Sequence, residues 1–151
     1  MEFENIAEFK AHKGKSVGTS SWLTVSQEMV NDFAKATGDF QWIHIDVEKA
    51  KKHSPFGGPI AHGFMSLSLI PKLMEELSVI KSAKMGVNYG LNKVRFAHPV
   101  PCGSQVRLHC TLKDVEDYGD NGAKSVWDAT IEIKGVDKPA CVAEFLSLVF
   151  E

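Results

Sequence analysis

The chain of 151 residues has the length of one globular domain and can bury a substantial core without disulfides or metal ions. Its 17 Lys and Arg against 19 Asp and Glu leave a formal net charge of -2, and no basic run predicts binding to nucleic acid. With 44% hydrophobic and 24% charged residues, the composition excludes a disordered or low-complexity protein.

Residues 1–15 mix acids, lysines and phenylalanines without a continuous apolar run, and no window approaches the roughly 18 apolar residues of a membrane span. We therefore expect a cytoplasmic protein with no membrane contact, in which residues 1–15 are an extension ahead of a single domain. The three cysteines show neither a disulfide framework nor paired metal spacing, so they are interpreted as reduced core residues. They are Cys102, Cys110 and Cys141.

The first half of the chain predicts short helices joined by turns. Residues 16–23 form a weak candidate strand, and the capping-box spacing of Thr24 and Gln27 precedes an apolar helical pattern over residues 26–36. Thr37-Gly38 ends that helix. After His44, residues 46–52 predict a charged helix with Asp46 as a possible cap, followed by a Pro- and Gly-rich loop over residues 54–59.

The most apolar helical segment runs over residues 62–80. Its apolar side chains cover nearly the whole circumference, which is typical of a buried helix. Pro71 lies inside this segment, so we expect a kink or a broken turn near residues 67–68.

The remaining chain predicts antiparallel strands. Residues 87–96 alternate with a change of phase that predicts a bulge around Asn92 and Lys93. Residues 106–113, 127–134 and 140–150 follow, and the turn sequences at 119–122 and 135–139 favour a meander. Strands of about 33 Å can run past a helix of about 27 Å, so the plan is α+β, with an antiparallel sheet around a central helix, and it resembles a hot-dog fold. Because such a sheet leaves an edge or face to bury, a homodimer is expected.

Asp39 and His44 are the candidate catalytic pair. A carboxylate and an imidazole that share one water can act as base and acid, and a glycine amide at a helix start can bind an oxygen that becomes negative. Such a site suits addition of water to a carbonyl-conjugated double bond, or its elimination. Spacing alone leaves two alternatives open: Asp39 as a turn or cap residue, and His44 as a structural histidine.

A spaced motif resembles the MaoC-like dehydratase family, which includes the (R)-specific enoyl-CoA hydratases. The resemblance covers most of the chain from about Ser20 onward. The matching residues are Gly38, Asp39, His44, Asp46 and Ala50, then Gly58 to Gly63 and Ser68, and further on Asn92 to Phe96, Pro99, Val100 and Gly103.

The resemblance implies that Asp39 and His44 hold the catalytic water, that the Gly63 amide binds the thioester oxygen and that Ser68 orients the acidic loop. The implied reaction is reversible syn addition of water to a trans-2-enoyl thioester, giving the (R)-3-hydroxyacyl product. The acyl carrier would be coenzyme A or an acyl carrier protein, and no cofactor is implied. His62 matches the motif as a supporting residue whose ring makes a structural hydrogen bond.

The chain departs from the commoner family pattern at Gln41 and Trp42, where the sequence is similar to the subgroup related to nodulation protein N. Trp42 is either a core anchor beside the loop or a contact to the acyl chain. Lys93 and Arg95 lie two apart on one strand face, where they either meet the phosphates of coenzyme A or form a solvated charge pair.

Two other functions remain open from sequence. A hot-dog acyl-CoA thioesterase would also use a buried helix and an oxyanion-binding amide, although the first acid on the predicted helix is Glu75, far from Gly63. A non-catalytic module that binds acyl thioesters would retain the pocket without the reaction. His53, His98 and His109 lack ligand spacing, so no metal site is predicted, and no glycine-rich phosphate loop indicates a nucleotide.

Overall fold

The computed structural model describes residues 1–151. In chain order the elements are β1 Glu2–Phe3, α1 Ile6–Ala11, β2 Ser16–Thr19, β3 Leu23–Thr24, α2 Gln27–Thr37, α3 Trp42–Ile45, α4 Val47–His53, α5 Gly63–Ser68, α6 Ile70–Met74, β4 Val79–Ile80, β5 Met85–Arg95, β6 Gln105–Tyr118, β7 Gly122–Ile133 and β8 Cys141–Phe150. The main element is a six-stranded sheet with the order β2-β6-β7-β8-β5, in which β3 also pairs with β6. A second, parallel pair joins β1 and β4.

Strands β6, β7 and β8 form the predicted antiparallel meander. Alternate residues of these strands are buried, and among them Leu108 and Ile131 face each other across β6 and β7 at 0% exposure. The turns predicted at residues 119–122 and 135–139 lie between these strands. The period-two pattern therefore gave the correct faces, while β6 extends beyond the predicted residues 106–113 to Tyr118, which pairs with Gly122.

Strand β5 lies at one edge of the sheet and pairs only with β8. The bulge predicted at Asn92 is confirmed by a register shift between Leu91 and Lys93, and a second shift between Asn88 and Gly90 was not predicted. Ten of the eleven residues of β5 are exposed, the exception being Val94. The strand thus presents an open backbone edge and its own side chains on the same border of the molecule.

The prediction of one helix over residues 62–80 is wrong in its length. The segment forms α5 and α6, which are interrupted at Leu69, and the helical part ends at Met74. The predicted break is present because Pro71 lies in the first turn of α6, where its missing N–H costs no helical bond. The periodicity of apolar residues could not distinguish the end of the helix from β4. The prediction that the helix is buried around its whole circumference is also wrong, because Phe64 is 68% exposed.

Residues 1–15 are not a mere extension. They form β1 and α1, and Phe3, Ile6 and Phe9 belong to the main hydrophobic core. The Phe9 ring lies 5.6 Å from the Trp127 ring, between centroids. The candidate strand at residues 16–23 is divided into β2 and β3, both paired with β6.

Helices α2 and α4 frame the loop that carries the candidate site. Ser26, rather than the predicted capping box, caps α2 by accepting a hydrogen bond from the Met29 amide at 3.2 Å. Asp46 caps α4 as predicted, accepting from the Lys49 amide at 3.0 Å. None of the helices has the length and apolar character needed to cross a membrane.

Candidate active site

Asp39 is presented by the turn that ends α2. Gly38 has a left-handed φ of 79°, which a residue with a Cβ adopts only with strain, and its amide donates to the Ala34 carbonyl at 2.8 Å. The Asp39 carboxylate accepts the Gln41 amide at 3.3 Å, while its side chain is 44% exposed. The turn therefore holds the carboxylate at the surface of the site with one oxygen free.

His44 lies on α3 and is buried, with 7% exposure. Its Nδ1 lies 2.6 Å from the Ile60 carbonyl oxygen. Because a carbonyl only accepts, Nδ1 carries the hydrogen and Nε2 keeps the lone pair. The Ile60 amide in turn donates to the Ile43 carbonyl at 3.0 Å, and Gln27 donates to the His44 carbonyl at 2.7 Å.

His62 connects the Asp39 turn to the start of α5. Its Nε2 donates to the Asp39 backbone carbonyl at 3.0 Å, which is the structural hydrogen bond expected of this ring. The His62 ring stacks on the His44 ring with centroids 3.8 Å apart, and the centroid of the tilted Phe33 ring lies 4.9 Å from that of His62. The ring is 3% exposed, and its Nδ1 is buried without a partner.

Gly63 begins α5, so its amide has no acceptor within the helix. The Phe96 ring lies directly against its Cα. A Cβ added at Gly63 would be 2.7 Å from Cδ2 of Phe96, so the exposed Phe96 ring would have to shift. The present packing of Phe96 against α5 therefore depends on glycine, independently of any role for its amide.

A cavity of about 300 Å³ joins His44 to Gly63. Four residues of this cavity lie outside the motif found in the sequence: Phe56, Ser66, His98 and Ala140. The available signal for Ser66 was its position three residues after Gly63, which places it on the same helix face. The lining residues are His44, Phe56, Ile60, Ala61, Gly63, Ser66, Phe96, His98, Pro99, Val100 and Ala140.

Other predicted site residues lie elsewhere. The Ser68 hydroxyl donates to the Phe64 carbonyl at 2.8 Å and makes no hydrogen bond to the Asp39 turn, so the expected orienting contact is absent and His62 makes it instead. Trp42 does not line the cavity, and the Lys49 ammonium lies 4.9 Å from its ring centroid.

Lys93 and Arg95 share one face of β5, as predicted. Lys93 is opposite Glu144 on β8 and Arg95 is opposite Val142, and both are exposed. The buried Ala143 faces Val94 between them, so the two cations project from the outer side of the sheet. They line none of the larger cavities.

Asp39, His44 and His62 offer potential metal-ligand atoms within 4.8 Å of one another. Each imidazole already uses one nitrogen for a backbone carbonyl, and the stacked planes differ by only 25°. A zinc ion at about 2.0 Å in the plane of one ring would lie outside the plane of the other. The arrangement suits a shared water or substrate oxygen better than a metal ion.

Burial lowers the pKa of His44 below its usual 6.5, and the nearby His62 lowers it further. The hydrogen bond to Ile60 and the charge of Asp39 oppose this shift. The His44 ring is thereby kept neutral near neutral pH, with Nε2 able to accept a proton.

Comparison with known proteins gives a family for this fold and site. The MaoC like domain family matches residues 8–132. The 3-hydroxyacyl-thioester dehydratase Z of Mycobacterium tuberculosis is 51% identical over 142 residues, covering 94% of this chain and 93% of that protein. Nodulation protein N of Rhizobium leguminosarum bv. viciae is 38% identical, covering 96% and 91% of the two chains.

Among solved structures, the unliganded R-hydratase PhaJ1 from Pseudomonas aeruginosa superposes with a TM-score of 0.73 at 19% identity, covering 99% of this chain and 87% of that chain. Together these likenesses define a hot-dog enzyme of the hydro-lyase class. The chain belongs to the MaoC-like dehydratase family.

The position of His44 predicts its titration. Because burial favours the neutral ring, we expect the midpoint of the His44 Cε1–H resonance in an NMR pH titration to lie below 6.5. Replacing His62 by Gln removes a neighbouring positive charge at low pH, so the His44 midpoint should rise. A midpoint at or above 6.5 in the unmodified protein would contradict the burial argument.

Proposed function

We propose that the protein is an (R)-specific enoyl-CoA hydratase that adds water reversibly to trans-2-enoyl thioesters and gives (R)-3-hydroxyacyl thioesters. The observation that carries the proposal is the His44–Ile60 hydrogen bond, which leaves Nε2 of a buried imidazole as a proton acceptor beside Asp39. No cofactor is needed for this reaction.

In the proposed hydration, Asp39 and His44 hold one water between them. As the water oxygen bonds to C3, His44 Nε2 accepts one of its protons, and the double-bond electrons move through C2 onto the thioester oxygen. The Gly63 amide binds this oxygen while it is negative. As the electrons move back from this oxygen to C2, His44 Nε2 gives its proton to C2 on the same face, which completes syn addition and leaves His44 neutral again. The reverse sequence eliminates water.

The comparisons support both directions of this reaction. The relative at 51% identity is named for dehydration of 3-hydroxyacyl thioesters, and a structural neighbour is named an R-hydratase. The same site must catalyse both because the forward and reverse paths share a transition state. The (R) configuration and coenzyme A as carrier belong to the proposal.

Two adjacent cavities offer an acyl site along the central helices. They measure about 320 and 420 Å³, share Pro71, Asn88 and Phe145, and extend from Leu67 to Met74. Leu67 and Ser68 line the cavity nearer to Gly63, and Met74 lines the farther one. We infer that the acyl chain follows α5 and α6 beneath β5, and that only longer chains extend into the cavity lined by Met74.

The carrier of the acyl group is proposed to bind outside the cavity mouth. Arg95 directly precedes Phe96, which lines the cavity that contains His44. Lys93 and Arg95 are exposed and positively charged, so they are suitable contacts for the phosphates of coenzyme A or of a phosphopantetheine arm on an acyl carrier protein.

A thioesterase is less well supported. Glu75, the first acid after Gly63, lies at the end of α6, is exposed and has Lys72 3.7 Å from its carboxylate. The site therefore lacks a helix carboxylate near the thioester that could activate water for acyl transfer. A non-catalytic binding module would have no need of a buried imidazole with a free Nε2.

A homodimer through β5 is the proposed assembly. This strand has a neighbour on one side only, and its exposed apolar residues adjoin the open edge. A second copy could add its own β5 and bury both the backbone edge and these side chains. The exposed apolar residues are Met85, Val87, Tyr89 and Leu91.

Loss of either catalytic group should nearly abolish the reaction. We expect Asp39→Asn and His44→Asn each to lower the rate of crotonyl-CoA hydration by about 10²- to 10⁴-fold. The rate is measured from the decrease in enoyl absorbance. The exposed Asp32→Asn and His53→Asn variants are matched controls and should retain activity. If both site variants retained most of the hydration activity, the proposed chemistry would be excluded. Release of free thiol from acyl-CoA would instead indicate a thioesterase.

Filling the distal cavity should shorten the preferred substrate. Met74→Trp should lower kcat/KM for trans-2-dodecenoyl-CoA at least tenfold more than for crotonyl-CoA, because only the long chain reaches Met74. Lys72→Trp places the same side chain on the exposed side of α6 and is the control. An unchanged ratio of the two kcat/KM values would place the acyl chain elsewhere.

Sedimentation equilibrium should give twice the 16.6 kDa chain mass. The double substitution Val87→Lys and Tyr89→Lys should shift the protein towards a monomer, because charges buried in the interface oppose pairing of the β5 edges. Val142→Lys adds a charge at an exposed position on the interior strand β8 and should leave the mass unchanged. A monomeric wild-type protein at micromolar concentration would refute the assembly.

A further inference from the structure

Ser66 has an unusual environment for a helical serine. It is 5% exposed, and its hydroxyl makes no hydrogen bond within the chain. Helical Ser and Thr hydroxyls commonly donate to the carbonyl four residues earlier, as Thr37 does to Phe33 and Ser68 to Phe64, both at 2.8 Å. Ser66 does not make the equivalent bond to His62.

The Ser66 oxygen is not one of the fully enclosed side-chain atoms that lack a hydrogen-bond partner, which are Gln27 Oε1 and His62 Nδ1, so it borders open space. Ser66 lines the cavity of about 300 Å³ that also contains His44 and Gly63. The free hydroxyl is therefore available to a molecule in that cavity, and its position beside the catalytic histidine connects it with the reaction.

The helix geometry brings this hydroxyl towards the amide of Gly63. Residues three apart are neighbours on one helix face, and the Cα–Cβ bonds of a helix tilt towards its N-terminus. The Ser66 side chain consequently leans over the turn that begins at Gly63. An oxygen atom that accepts a hydrogen bond from the Gly63 amide could therefore also accept one from the Ser66 hydroxyl.

Resting on the proposed hydratase function, we propose that Ser66 is a catalytic residue whose hydroxyl donates a second hydrogen bond to the thioester carbonyl oxygen. The oxygen gains negative charge as water adds to C3, so a hydrogen bond to it strengthens in the transition state. Ser66 thereby lowers the barrier rather than merely binding the ground state. No group is consumed, since the hydroxyl keeps its proton throughout.

Three substitutions at Ser66 distinguish the effect of losing the hydroxyl donor from the effect of changing the side-chain volume. Ser66→Ala removes the donor, Ser66→Cys keeps a similar shape with a weak donor, and Ser66→Thr keeps the hydroxyl. We expect Ser66→Ala and Ser66→Cys to lower kcat for crotonyl-CoA hydration by about 10- to 100-fold with a smaller change in KM. Ser66→Thr should retain much of the wild-type kcat.

Ser20 provides a matched control. It is also buried, at 6% exposure, but its hydroxyl accepts from the Leu108 amide and donates to the Ser21 carbonyl, both at 2.9 Å. Ser20→Ala should lower Tm and leave kcat unchanged, whereas Ser66→Ala should lower kcat without lowering Tm. Equal losses of Tm in the two variants would assign Ser66 a structural role and overturn the proposal.

A spectroscopic measurement tests the contact directly. In the Asp39→Asn background, which blocks turnover, bound trans-cinnamoyl-CoA should absorb at longer wavelength because its carbonyl is polarised. Adding Ser66→Ala should reduce this red shift, and adding Ser66→Thr should preserve it. An unchanged red shift in Ser66→Ala overturns the role of Ser66 alone. Absence of any red shift, together with no hydration by the wild-type protein, overturns the hydratase function itself.

Discussion

Two hydrogen bonds from imidazole rings to backbone carbonyls hold the site together. His62 donates to the Asp39 carbonyl, and His44 donates to the Ile60 carbonyl. Each bond joins segments distant in sequence, and the stacked rings connect the two bonds to each other. The turn after α2, the short helix α3 and the start of α5 are thereby fixed relative to one another. Each bond also decides which ring nitrogen carries the hydrogen.

The sheet acts on this site through packing. Phe96, just beyond the end of β5, lies against Gly63, and the Val100 carbonyl accepts the Ala61 amide at 2.8 Å. The segment that follows β5 therefore lines the cavity and also sets where α5 can begin. Strand β5 itself lines the proposed acyl site and forms the open edge of the sheet, so the proposed acyl site and the proposed dimer contact depend on one element. A change on β5 can affect both.

The sequence predicted the sheet well and the central helix less well. Alternation identified the meander because β6, β7 and β8 each have one buried face. A change of phase identified the bulge at Asn92, although β5 is almost wholly exposed. The helix was predicted too long, since apolar residues near Val79 fit a short strand as readily as a helix. Residues 1–15 gave no recognisable pattern because their partners, β4 and the core around Trp127, are distant in the chain.

For the site, the sequence by itself determined which chemical groups are present. The spaced motif identified Asp39, His44, His62 and Gly63, and the structure brings their segments together. Only the tertiary structure decided how the groups are used. It assigned the loop-orienting hydrogen bond to His62 instead of Ser68, and it left the Ser66 hydroxyl free in the cavity. Hydrogen-bond partners and burial arise from contacts across the fold, and spacing along a chain cannot specify them.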